Sequence, residues 1–502
     1  MLNKLMLTRR TALGALAAAT GAMALSACAP SGDSDGDQNT IDYWLWDASQ
    51  QPAYQACADR FKEKTGITVR ITQIGWGDYW TKLTAGFIAG TGPDVFTDHI
   101  AKFAQFVDLD VLVPLEEQAA WADVDESLFQ EGLIDLWKGE DGHQYGCPKD
   151  WDTEAVFYNM DMVTQAGLTE EDLATWTWNP DDGGTFERII ARLTVDKNGV
   201  RGDEDGFDPK HIAVYGLGIQ NAGAADGQTQ WSPFTGSVGD WMYTDKETWG
   251  TRYRYDDPDF QRTIDWYFGL VDKGYLNPNG AFSSTTSTDV MLGSGSVAAA
   301  INGAWMFNTF AGLDLNVGIT ANPVGPNGTS ASLFNGLGDS IVKQSTKIEA
   351  ASKWVAFLGT TEAQDIVASY GIVFPAITSS SQKAAEVFQA TGLPTEPFTQ
   401  HVENGTTFFF PLTYFGADVT AIMTPGLDEV WTERVPASTL TKYNDQVNPS
   451  SRPPRTTSRA GQRRWGADRG ERPSGGRLAA RRPFGRRGTD RLISPPVRRR
   501  RG

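Results

Sequence analysis

Aromatic and acidic side chains stand side by side at four places in this sequence: Trp44-Leu45-Trp46-Asp47, Trp76-Gly77-Asp78-Tyr79-Trp80, Trp151-Asp152 and Gly239-Asp240-Trp241. An indole ring lies flat against an apolar C–H face, and its N–H serves a polar rim. A neighbouring carboxylate accepts hydrogen bonds from hydroxyls, and its charge strengthens them. The pairing therefore suits a ligand with polar edges and apolar faces, of which a sugar ring is the common example. One signature of hydrolytic chemistry is missing: there is no His-Glu-x-x-His, and the histidines are His99, His143, His211 and His401. A carbohydrate-active enzyme would need two placed carboxylates, and acids are too numerous here for their mere presence to signal such a pair.

Other chemistry-bearing patterns are weaker. Asp196-Lys197-Asn198-Gly199 with Asp203-Glu204-Asp205-Gly206 faintly resembles a calcium loop, but the glycine and the bidentate glutamate are misplaced. An acidic surface turn is the expected role of 196–205, with structural calcium as the alternative and no other cofactor. Gly293-Ser294-Gly295-Ser296 lacks the strand–turn–helix setting of a dinucleotide site. Cys28, Cys57 and Cys147 form no CxxC pair. Cys57 shares an apolar helical stripe with Ala53 and Phe61, so a buried free thiol is expected there.

These residues need scaffolding. The 502 residues suffice for two or three domains, and a hydrophobic content of 40% supports a core. The net charge of −18 hides an asymmetry. Residues 450–502 hold 17 Arg, no Lys and three acids, leaving 27 bases against 59 acids in residues 1–449. An acidic body repels polyanions, so nucleic acid is not an expected partner. Beyond Asn448 apolar periodicity stops, and the Arg/Pro-rich segment 449–502 is expected to be disordered. Its composition is that of GC-rich DNA read out of frame, and a frameshift near codon 448 is the expected origin.

At the other end, Lys4, Arg9 and Arg10 precede an uncharged apolar stretch and the tetrad Leu25-Ser26-Ala27-Cys28. This is the layout of an export signal, too short for a comfortable membrane span. The tetrad looks like a bacterial lipobox, which implies cleavage after residue 27 and lipidation of Cys28, with 28–39 as a polar tether.

Between the ends, Ile41, Tyr43 and Leu45 alternate like a strand. A helix from about residue 52 carries Ala53, Cys57 and Phe61 inward and stops at Gly66. Ile67, Val69 and Ile71 alternate again. The spacing predicts a second helix over 79–89, with Trp80, Leu83, Phe87 and Ile88 inward, and a third strand from Asp94. Repeated βαβ units predict an α/β fold with a mainly parallel sheet, whose ligands bind outside the carboxyl ends of the strands. Those ends carry Trp46 and Asp47, Trp76 and Asp78, and Asp98 and His99.

Four segments in order resemble one family, the family 1 extracellular solute-binding proteins of sugar ABC importers, among them maltose-binding protein. They are Gly90-Thr91-Gly92-Pro93-Asp94-Val95; Tyr145-Gly146-Cys147-Pro148-Lys149-Asp150-Trp151-Asp152-Thr153; Ala298-Ala299-Ala300-Ile301-Asn302-Gly303-Ala304-Trp305; and Ser340-Ile341-Val342-Lys343 through Tyr370-Gly371-Ile372-Val373-Phe374-Pro375-Ala376. The resemblance implies a type II periplasmic-binding-protein-like fold: two hinged lobes around a ligand cleft. Lobe one would be 40–149 with 317–342, lobe two 150–316 with 343–448, crossing near 148–153, Asn316 and Lys343. It implies that Trp305 stacks on the ligand, that Asp98 or His99 makes a strand-end polar contact, and that Trp151 and Asp152 face the cleft from the hinge. Trp241 and Asp339 complete the candidate set, and Lys149 is the base nearest the expected cleft. The implied partners are a mono- or oligosaccharide, an ABC importer permease and, through lipid, the outer face of the cytoplasmic membrane. The chain would act as a monomer and without catalysis. The alternatives are a secreted carbohydrate-active enzyme and a receptor for a peptide or phosphorylated polyol.

Overall fold

Strand β1 (Thr40–Leu45) buries Ile41, Tyr43 and Leu45 and turns its other residues outward, as the alternation requires. Helix α1 (Gln51–Thr65) buries Ala53, Cys57 and Phe61 and ends at Gly66, whose φ of 76° suits glycine alone. Strand β2 (Thr68–Gln73), helix α2 (Trp76–Ala89), strand β3 (Val95–His99) and helix α3 (Ile100–Asp108) follow. Both β2 and β3 pair parallel with β1. The structure, a computed structural model, describes residues 39–221 and 225–448. The expected export segment, Cys28 and the Arg-rich tail lie outside the described residues. Among the described residues no helix is long and apolar enough to cross a membrane.

Helix α2 differs from expectation in one detail. Tyr79, Leu83, Gly86 and Phe87 form its buried stripe, whereas Ile88 is 84% exposed. Nine residues at 100° each put Ile88 diametrically opposite Tyr79. The stripe includes Gly86 because the chain doubles back there: a Cβ at Gly86 would come within 2.9 Å of the Gly92 Cα.

Two sheets share the described residues. The first has the order β11-β4-β10-β3-β1-β2, from β11 (Phe374–Pro375), β4 (Cys147–Asp152) and β10 (Ser332–Ile341), with β12 (Thr407–Phe409) also on β10. The second runs β6-β7-β8-β5-β9, from β5 (Glu154–Asn159), β6 (Val195–Asp196), β7 (Ile212–Gly218), β8 (Val297–Gly303) and β9 (Val317–Thr320). The first sheet is parallel across β1, β2 and β3 and where β12 joins β10. Its central strand β10 returns from the other sheet and lies antiparallel to both β3 and β4.

Sheet membership redraws the expected lobe boundaries. Strand β4 lies wholly in the first sheet and the chain crosses at Thr153. Val317–Thr320, expected in the first lobe, pairs with β5 in the second sheet. The second crossing is therefore 321–331, not Asn316. Nor does the chain leave the first lobe at Lys343: helices Ile348–Leu358 and Thr361–Ser369 pack on α1, and β11 extends β4. The third connection lies between helix Thr378–Gln389, packed on β11, and helix Glu396–Glu403, packed on β5.

The middle region packs most of its tryptophans into buried aromatic clusters. Trp178 stacks on Trp266 at 5.0 Å, and Phe186 and Phe234 close the cluster. Cys57 and Cys147 are buried free thiols, and burial pushes Cys57 up to about 12. In the segment with calcium-loop character, backbone N–H groups of Asn198, Val200 and Asp208 donate to the Asp196 carboxylate, while Asp203 and Glu204 pair with Arg192.

Candidate functional site

A cavity of about 740 Å³ opens where the strand ends of the two sheets meet. One wall comes from the first sheet. Trp46 and Asp47 follow β1, Trp76 opens α2, His99 ends β3, and Lys102 lies one turn into α3. Trp46 holds Trp76 edge-on at 5.2 Å, and Trp76 lies 5.6 Å from the His99 ring. Trp76 is 48% exposed, a large apolar surface facing open space. His99 caps α3 by accepting the Ala101 N–H at Nδ1, which leaves Nε2 to carry the ring proton. Burial pushes His99 down to about 3, so it stays neutral.

The opposite wall carries Trp305, on a 3₁₀ turn (Ala304–Met306) directly after β8. The turn is fixed twice. Ala304 N–H donates to the carbonyl of the crossing residue Thr153 at 3.1 Å, and the Asn302 side chain accepts the Gly303 N–H at 2.9 Å. A Cβ on Gly303 would fall inside the Trp305 ring, so the glycine is what lets the indole lie back over the strand. Between the walls, Asp150 and Asp152 of β4 and Asn335 and Leu337 of β10 form the floor, with Asp226 and Gln228 beside it.

Strand geometry sorts the candidates. Trp46, Asp47, Trp76, His99, Asp152 and Trp305 line the cavity. Asp98 alternates with His99, points to the other face, and accepts the His99 N–H. Trp151 alternates with Asp152 in the same way and stacks on Phe374 at 4.9 Å, away from the cleft. Asp78 faces solvent on α2 and pairs with Lys82 at 3.5 Å. Trp241 is core, stacked on Phe260 at 4.8 Å. Asp339 sits two residues deeper along β10 than Leu337, about 7 Å inside the strand end, and bonds Tyr43 and Thr97. Lys149 also faces that interior, so Lys102 is the base on the cleft wall. Sequence reasoning missed Asp150, although the period of two from Asp152 carries the signal, and Lys102, one helical turn past His99. Asn335 and Asp226 carry no local signal.

Burial pushes Asp150 up to about 7, against the pull of Lys149, and Asp226 up to about 6. Asp152 is raised too, by burial and then by neighbouring Glu154. A folded carboxyl that holds its proton more tightly than the unfolded one costs stability as pH rises toward its folded value. The unliganded protein should therefore lose stability as pH rises from about 5 to about 7. Asp150→Asn should shrink that loss by about 2 kcal/mol. Denaturant unfolding of both proteins at the two pH values measures it; an unchanged slope would mean that Asp150 is ionised throughout.

The family model for bacterial extracellular solute-binding proteins matches residues 47–365. The chain belongs to this family. The arabinooligosaccharide-binding protein of Bacillus subtilis is 24% identical over 188 residues, covering 32% of this chain but only 43% of that protein. The maltooligosaccharide ABC transporter solute-binding lipoprotein of Streptococcus pneumoniae is 24% identical over 380 residues, 74% of this chain and 79% of that protein. An ABC substrate-binding protein from Listeria monocytogenes, solved in complex with cycloalternan, superposes with a TM-score of 0.68 at 19% identity, covering 82% of this chain and 98% of that one. The fold is thus the two-lobe binding-protein fold, with the cavity at the junction of the lobes.

Proposed function

We propose that this solute-binding protein is an extracytoplasmic, lipid-anchored receptor that takes a mono- or oligosaccharide between its lobes and hands it to an ABC importer permease. The observation that carries this reading is the facing pair of aromatic walls, Trp46 with Trp76 on one lobe and Trp305 on the other, above a floor of carboxylates. Flat indoles suit the C–H faces of a sugar, and carboxylate and amide oxygens suit its hydroxyls. The oligosaccharides named for the relatives agree with it, as does the lipoprotein among them. A phosphorylated ligand would want several cations, and Lys102 is the one Lys or Arg among the described cleft residues. Lobe closure on the ligand would present a new surface to the permease.

The test is calorimetric titration of the purified protein with a panel of mono- and oligosaccharides, followed by chromatography of the mixture. Saturable binding with the sugar recovered intact is the expected result. Hydrolysis products would identify an enzyme instead. A folded protein that binds no saccharide would overturn the reading.

A further inference from the structure

The floor of the cleft offers acceptors without donors. Asp150 and Asp152 stand two apart on β4 and so share a face, and Asn335 on β10 is the register partner of Asp152. All three are more than nine-tenths buried and line the cavity. One oxygen of Asp150 accepts the Leu337 N–H at 3.2 Å, and one oxygen of Asp152 accepts the Asn335 side-chain N–H at 3.2 Å. With Asp152 ionised, as it would be beside a bound cation, that second bond orients the Asn335 amide, because an ionised carboxylate can only accept. Asp150 Oδ2, Asp152 Oδ1 and Asn335 Oδ1 are then left without a partner. Each of the three open atoms is an acceptor.

No cation of the protein bonds them directly, although Lys149 draws on Asp150 from the far side of the strand. None of the protein's ion pairs among the described residues within 4.0 Å includes Asp150 or Asp152. Lys149, their strand neighbour, points the other way and donates to Tyr43 and Thr97. His99 accepts at Nδ1 from the backbone and is uncharged. A sugar hydroxyl brings one donor hydrogen and two lone pairs, which would meet further acceptors. An ammonium group brings three donors, no acceptor and the charge that two buried carboxylates lack.

Resting on the saccharide reading of this cleft, we infer that the natural ligand carries a protonated amine, as an amino sugar does, and that Asp150, Asp152 and Asn335 receive it. The aromatic walls then hold the ring faces while the floor holds the charge. The raised proton affinity of Asp150 and Asp152 in the empty cleft fits this role, because an arriving ammonium displaces the protons and restores the paired state.

Matched pairs test the inference: glucose with glucosamine, galactose with galactosamine, mannose with mannosamine, and cello-oligosaccharides with β-1,4-linked glucosamine oligomers. Each is titrated calorimetrically into the intact protein at about pH 6.5. The expected result is at least about tenfold tighter binding of the amine in the pair that binds best. In the wild-type protein the amine's affinity should fall as pH drops toward about 5, while that of the neutral partner stays level. Asp150→Asn and Asp152→Asn should bring the two affinities of a pair together. Equal or tighter binding of the neutral sugars overturns the inference and leaves the saccharide reading standing. Failure of every sugar, neutral and amino, overturns both. A saturable response to calcium alone would reassign the floor to a divalent cation and overturn the inference.

Discussion

Trp305→Ala is expected to weaken ligand binding about 30-fold while leaving the fold intact. The indole lies on a short turn at the cleft edge, half-buried, and its loss opens no core cavity. Truncating an aromatic anchor at the centre of an interface costs about 2 kcal/mol or more, which is roughly 30-fold in affinity. Trp305→Phe keeps a flat face and should recover most of the loss. Gly303→Ala provides an independent route to the same result, since its methyl group must push the indole off its resting place over the strand. Calorimetry is the right measurement, because the chain has 17 Trp and fluorescence would mix their signals. Unchanged affinity in Trp305→Ala, with unfolding also unchanged, would remove the second aromatic wall from the site. The proposed mode of recognition would then reduce to the first lobe.

Local pattern explains why part of this molecule can be read from its sequence. The β1–α1–β2–α2–β3 run is legible because each element carries its own period and its own stop, such as Gly66 after α1. The placement of β10 is not, because its partners on β3 lie more than 200 residues away and no local rule chooses among distant strands. The same limit moved the lobe crossings: Val317–Thr320 reads as a strand from its residues, but only pairing with β5 says which sheet it joins. At the site, Trp46, Asp47 and His99 were legible as residues ending parallel strands. Asp98 and Trp151 were misplaced for one shared reason: in a strand the neighbouring residue faces the other way. Asp339 fails differently. It points to the right strand but sits too deep along it, and depth is set by where the sheet ends, which depends on β3 and β4 together.

Lys149→Met should destabilise the protein by about 3–5 kcal/mol, the largest effect expected of a single side chain outside the cleft. Lys149 is 2% exposed. Its ammonium donates to the Tyr43 hydroxyl at 3.0 Å and to Thr97 Oγ1 at 2.8 Å, and lies 3.7 Å from the centre of the Tyr54 ring. Both hydroxyls pass their own hydrogens to one oxygen of Asp339, at 2.7 Å and 3.2 Å. The charges are thus joined through two hydroxyl bridges. Burial lowers the proton affinity of Lys149 and raises that of Asp339, and each charge works against the shift in the other. Methionine has nearly the shape of lysine, so little volume is lost, but Asp339 is left as a buried charge with no cation. Asp339→Asn removes that charge, so the double variant should be more stable than the sum of the single losses predicts. Denaturant unfolding of the four proteins closes the cycle. A cost below about 1 kcal/mol for Lys149→Met would show that Asp339 is already neutral in the folded protein. The stake extends to the cleft, because the strand that turns Lys149 inward turns Asp150 and Asp152 toward the ligand. A variant that lets β4 rotate should weaken binding in proportion to the stability it loses.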